Sequence, residues 1–279
     1  MKTFFLLLLA ICGVHARSTA SSFTAGKSMA LHVPRGGAGP LDPELASKAF
    51  LTLAGTQGII MNCGPKKSNE MYGIKNDPLA EYQAELFGAL VFHYAALLGL
   101  MLVKGFSTVQ ANQAVMCLNL YQHLKFYLSG QMEAVGATPE SGPFIVGQFL
   151  LLLFLYTQDY APTIIKIMAV IYGLSGVQMV VSPEKSAHAW KIFPSSFSPA
   201  NKVLQGYIGF FLISIGVINI ARLQYGATPL QAVGYGSVVW ALAHAWLSLS
   251  GKFKAAGVPE KPQYFWMALH MILAYTTLA

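Results

Sequence analysis

The chain has 279 residues, of which 54% are hydrophobic and 10% charged, with a formal net charge of +7. Soluble domains carry about 25% charged residues, so this composition excludes a globular protein with an ordinary water-facing surface. No basic stripe interleaved with aromatic residues accompanies the positive charge, which argues against a nucleic-acid partner and leaves positive loops beside a lipid bilayer as its account.

The first 16 residues read as a secretory signal: Lys2, an apolar run from Phe4 to Ile11, and a small-residue cleavage site at Val14-His15-Ala16. Residues 17–42 are rich in Ser, Thr, Ala and Gly, hold Arg17, Lys27 and Arg35, and have no acid before Asp42. That is the composition of a transit peptide or a disordered segment. The run Ala20-Ser21-Ser22-Phe23 resembles the signal-to-transit junction of proteins imported into the secondary plastids of algae, which are usually spelled Ala-Ser-Ala-Phe there. The resemblance implies a plastid destination, thylakoid or envelope. An ordinary secretory leader to the endoplasmic reticulum or plasma membrane is the alternative.

From residue 43 the chain repeats itself. Leu53-Ala-Gly-Thr-Gln-Gly-Ile-Ile-Met61, followed by Pro65-Lys-Lys-Ser68, matches Ile171-Tyr-Gly-Leu-Ser-Gly-Val-Gln-Met179 and Pro183-Glu-Lys-Ser186. Further along, Leu86 and Gly88 pair with Leu204 and Gly206, Lys104 with Arg222, Gln110 with Gln231, His123 with His244, and Pro139 with Pro259. Each copy holds four apolar segments, near 46–64, 84–104, 109–128 and 143–158, then near 163–182, 202–222, 229–250 and 263–279. A span needs about 20 apolar residues, and a helix satisfies its own backbone in lipid. The expectation is an all-α polytopic membrane protein of about eight transmembrane helices in two four-helix repeats, 43–160 and 161–279. An even number of spans per copy makes the repeats parallel rather than inverted.

The loops 65–83, 129–142, 183–201 and 251–262 carry Lys66, Lys67, Lys75, Lys185, Lys191, Lys252, Lys254 and Lys261. The positive-inside rule places them in the cytosol or stroma. Small residues at Gly55/Gly58, Ala95/Gly99, Gly173/Gly176, Gly206/Gly209 and Gly234/Gly236 mark faces where helices approach closely. Tyr172-Gly173-Leu174, Pro183 and Gly206-Tyr207-Ile208-Gly209, faintly echoed by Gly55, Pro65 and Gly88, resemble small four-helix membrane proteins of the DoxX-like kind. Such families often carry an acid in the last helix and an arginine in the third. Segments 143–158 and 263–279 have no internal acid, so the likeness carries no site residues over.

Ionisable groups inside a span are candidate site residues because burying them in lipid costs a few kcal/mol. His123 and His244 occupy equivalent places in the two repeats, and two imidazoles facing each other are a ligand set for a haem iron or a chlorophyll magnesium. Asn112, Met116, Asn119 and His123 form one polar stripe at helical spacing. The bland reading makes these histidines hydrogen-bonded contacts between helices. His93 and His270 lack equivalents and read the same way. Glu81 and Glu85, one turn apart at the entrance of a helix, complement its dipole or bind a proton or cation. Of three cysteines, Cys12 lies in the leader and Cys63 and Cys117 in or beside spans, with no metal-binding spacing. No nucleophile elbow, zinc-protease, phosphate-loop or dinucleotide motif is present. The reading that follows is a protein that binds or moves a small ligand between its repeats. Its alternatives are an assembly subunit of a larger membrane complex, a homo-oligomer included, and a cofactor-dependent redox protein.

Overall fold

The structure, a computed structural model, describes residues 42–136, 141–157, 159–189 and 197–279, without the side chains of 141–144. The signal peptide, residues 17–41, Glu140, Trp190 and Lys191 lie outside the described residues. The described residues are all-helical, with no strand among them. The helices are α1 (Pro43–Cys63), α2 (Pro65–Met71), α3 (Pro78–Lys104), α4 (Thr108–Leu128), α5 (Gln131–Ala134), α6 (Ser141–Leu155), α7 (Ala161–Val181), α8 (Pro183–Ala189), α9 (Pro199–Tyr225), α10 (Pro229–Leu249), α11 (Lys252–Ala256) and α12 (Glu260–Leu278). Every apolar segment expected from the sequence is a helix. The short helices α2, α8 and α11 lie on the lysine-bearing loops, and α5 lies on the loop 129–142, which has no lysine.

Local chemistry sets the boundaries. Asp42, Asp77, Ser107, Ser198 and Thr228 each accept a hydrogen bond from a backbone N–H of the first turn that follows, worth roughly 1 kcal/mol per cap. Proline stands in the first turn of α1, α3, α7, α9 and α10, where the missing N–H costs nothing. The two long helices, α3 and α9, stop at Gly105 (φ 68°) and Gly226 (φ 65°). Only glycine takes that left-handed conformation without strain.

Helices of 21, 7, 27 and 21 residues follow one another from α1 to α4, apart from the order fixed by the loops, and again from α7 to α10. Helices α3 and α9 form the centre and pack against each other. Around them, α1 and α4 flank α3, α7 and α10 flank α9, α12 lies against α10 and α1, and α6 lies against α4 and α7. Leu97, Leu98, Met101, Leu204, Phe210 and Ile218 fill the contact region.

Two expectations need correction. Gly58 faces Gly88 and Gly176 faces Gly209 across the helix pairs, so the close contact that Gly88 makes on α1 is matched on α7 by Gly209, not Gly206. Gly99 and Gly173 have nothing within 4 Å of an added Cβ, so their missing side chains are not what lets the helices approach.

Among the described residues four helices, α3, α7, α9 and α10, are long and apolar enough to cross a membrane. The hydropathy of α1 and α12 is lowered by Gln57, Asn62, Gln263 and His270, which are buried or half-buried, while Leu53, Ile59 and Ile60 on α1 and Phe265, Met271 and Ile272 on α12 face outward. Helices α6 and α7 likewise expose Phe149, Leu153, Phe154, Ile167 and Ile171. A water-soluble monomer rarely exposes that much contiguous apolar surface.

Candidate functional site

A cavity of about 100 Å³ lies between α1 and α3 on one side and α9, α10 and α12 on the other. Tyr72, Ile74 and Val258, from the loops that carry lysines, line one end of it. There the tight turns at Gly73 and Gly257 meet, a Cβ on Gly73 coming within 3.2 Å of the Gly257 carbonyl oxygen. Phe50 and Tyr94 line it far from that end, roughly 20 Å into the helices at 1.5 Å per residue. No Asp, Glu, Lys or Arg stands among the lining residues.

Aromatic rings build the walls. Phe87 stacks on Tyr207 at 5.2 Å, Trp240 on His270 at 6.1 Å, and His244 on His270 at 6.0 Å between centroids. The edge of Phe50 meets His270 at 5.0 Å. Offset and edge-on geometries of this kind suit the ring quadrupoles. Polar groups converge towards the end that Tyr72 lines. The Tyr207 hydroxyl donates to Gln263 Oε1 at 2.8 Å and lies 3.3 Å from His244 Nδ1. Gln57 Nε2 donates to the Tyr72 hydroxyl at 2.5 Å. Burial raises the pKa of Tyr72 above its ordinary value, with the Gln57 bond opposing the shift. His270, only 5% exposed, keeps Nδ1 buried without a hydrogen-bond partner. A buried nitrogen of this kind carries an unpaid desolvation cost.

The structure distributes the residues singled out from the sequence over three places. His244 lines the cavity. His123 does not: it lies on α4, with Nδ1 2.8 Å from the Asn119 carbonyl oxygen. Helix α4 packs on α3, α6 and α7, whereas α10 packs on α12, α9 and α3. The expectation of His123 and His244 as a facing pair is therefore replaced by His244 with His270. A tetrapyrrole does not fit this arrangement, because the cavity, about 100 Å³, is on the scale of a single ring and its two histidines are stacked side by side. Asn112 exchanges hydrogen bonds with Asn219 of α9 at 2.8 and 3.2 Å, and Asn119 donates to Gln148 of α6 at 3.2 Å. Both amides join helices.

Glu81 and Glu85 also part company. Glu81 sits half-exposed in the first turn of α3, as dipole complementarity requires. Glu85 is 3% exposed and accepts from Lys125 Nζ at 2.5 Å, Gln131 Nε2 at 2.9 Å and Gln122 Nε2 at 3.4 Å. Its carboxylate is paired by the chain itself rather than left for a cation.

From the sequence, His270 reads as a hydrogen-bonded contact between helices, and Tyr207, Gln263, Trp240 and Gln57 are not site candidates. The cost of burying polar groups in an apolar helix pointed to His270 as directly as to His244. Its lack of an equivalent in the other half sets it below His244 in the sequence, whereas the cavity is built asymmetrically. A scan of protein-family models and searches of curated proteins and of solved structures find no match to this chain.

Proposed function

We propose that this chain is an eight-span integral membrane protein of two parallel four-helix repeats, DoxX-like in pattern, that binds or moves a small ligand in the cavity between them. The recurring helix lengths and the paired glycine stops at Gly105 and Gly226 support the duplication. The outward apolar faces of α1, α4, α6 and α12 support four further spans beside the four apolar ones. The leader favours a plastid membrane as the destination.

The observation that carries the ligand reading is a charge-free, largely aromatic cavity between the halves that contains an unpartnered imidazole nitrogen. A concave apolar pocket with a few convergent polar groups is the usual form of a small-molecule site. The test is native mass spectrometry of gently solubilised wild type and Val91→Phe, whose new ring fills the cavity. A small neutral species released from wild type and missing from the variant is expected. A bound ligand at a hundred times its Kd also stabilises by about 2.7 kcal/mol, so it raises Tm. If no species is released and no small neutral compound raises Tm, the reading fails.

A further inference from the structure

We propose, building on the ligand-binding reading above, that the cavity takes a neutral, single-ring aromatic molecule carrying a hydrogen-bond donor, a phenol-type group, with that donor bonded to His244 Nε2.

Four observations lead there. The lining has no charged side chain, so an ion entering it would lose its hydration without a counter-charge. The volume, about 100 Å³, is on the scale of one six-membered ring, given that a cavity of ~150 Å³ holds benzene. The walls offer ring faces: the Trp240 and His270 planes differ by 18°, and those of His244 and His270 by 26°. A flat ring gains more from such faces than a flexible chain, which must also lose rotamer freedom.

The fourth observation fixes the polarity of the ligand. The Tyr207 hydroxyl has one proton and gives it to Gln263 Oε1. Towards His244 Nδ1, 3.3 Å away, the same oxygen therefore acts as acceptor, and Nδ1 carries the imidazole proton. No carboxylate lines the cavity to hold a second proton on the ring. In a neutral imidazole the other nitrogen is then an acceptor. His244 Nε2 thus presents a lone pair, and a ligand O–H or N–H satisfies it where an ether or carbonyl leaves it unpaired.

The test uses the full chain in lipid nanodiscs at pH 7, with phenol, anisole, benzoate and 1-hexanol as probes. The signal is the saturable change in tryptophan fluorescence that Trp240→Phe and Trp266→Phe together remove, both side chains lining the cavity. Leaving a buried polar group unpaired costs about 1–3 kcal/mol, so phenol is expected to bind roughly tenfold or more tightly than anisole. Benzoate is expected not to bind. His244→Phe should bring phenol and anisole to equal affinity while anisole binding persists, and Tyr207→Phe, which removes the partner that sets the tautomer, should narrow the gap in a protein that keeps its Tm. Equal binding of phenol and anisole to wild type, or binding of benzoate, overturns the proposal. Preferential binding of 1-hexanol overturns the aromatic class and leaves the ligand-binding reading standing. No saturable binding by any probe overturns both.

Discussion

Glu85 illustrates how much one buried residue depends on its neighbours. Its carboxylate is held by Lys125, Gln122 and Gln131, and Asn62 Nδ2 donates both to the Glu85 carbonyl oxygen and to Gln122 Oε1 at 3.1 Å. Removing one partner of a buried pair is far more costly than replacing both, because it leaves an uncompensated charge. The Lys125 side chain is 37% exposed, so water takes over part of its role and the cost is at the low end for such pairs. We expect Lys125→Met to destabilise the protein by roughly 1–3 kcal/mol, and the Glu85→Gln/Lys125→Met double variant to recover most of that. Denaturant unfolding in micelles reads both. An unchanged midpoint in the single variant would mean that the glutamines alone carry the carboxylate.

Among the helices, the tightest packing is between α1 and α3 and between α7 and α9, and glycine makes both contacts possible. A Cβ at Gly88 would lie 2.5 Å from the Asn62 backbone nitrogen and 2.7 Å from Met61 Cβ. At Gly209 it would lie 2.6 Å from the Gly176 carbonyl oxygen and 2.8 Å from Met179 Cβ. These are distances at which a backbone must move. Gly88→Ala and Gly209→Ala are therefore expected to lower stability by about 1–3 kcal/mol, the usual cost of overpacking. Gly99→Ala and Gly173→Ala meet open space and should be neutral or stabilising by roughly 0.5–1 kcal/mol through lower backbone entropy of the unfolded chain. Thermal melts of the four variants separate the two pairs, and equal effects would show that close approach is not what these helices need glycine for.

For the whole molecule, the decisive quantity is the number of membrane crossings. In a background without Cys63 and Cys117, both free and exposed, single cysteines at Lys67, Lys185 and Lys254 should react with an impermeant maleimide from one side of the membrane. Cysteines at Phe106 and Gly226 should react only from the other. Reaction of Lys67 and Lys185 from opposite sides would break the parallel arrangement. Across the central pair, α3 and α9 are tied by a buried chain of amides: Asn201 Nδ2 donates to Gln83 Oε1, Gln83 Nε2 to Gln205 Oε1, and Gln205 Nε2 to Ser186 Oγ. A fully satisfied buried network of this type favours one docking of the halves over others.

The sequence by itself determined that the chain is helical and rich in apolar segments, and where the long helices lie. Hydropathy and segment length depend on local composition, and caps such as Ser107 with Gln110 are written within a few residues. It also singled out His244. What only tertiary structure decided is which residues meet. Glu85 reads as a dipole acid until Lys125, 40 residues on, is seen beside it. His244 looks like the partner of His123 until α12 brings His270 against it. Periodicity within a helix specifies a face, but not the neighbour that covers it, and the cavity is made by α1, α3, α9, α10 and α12 together.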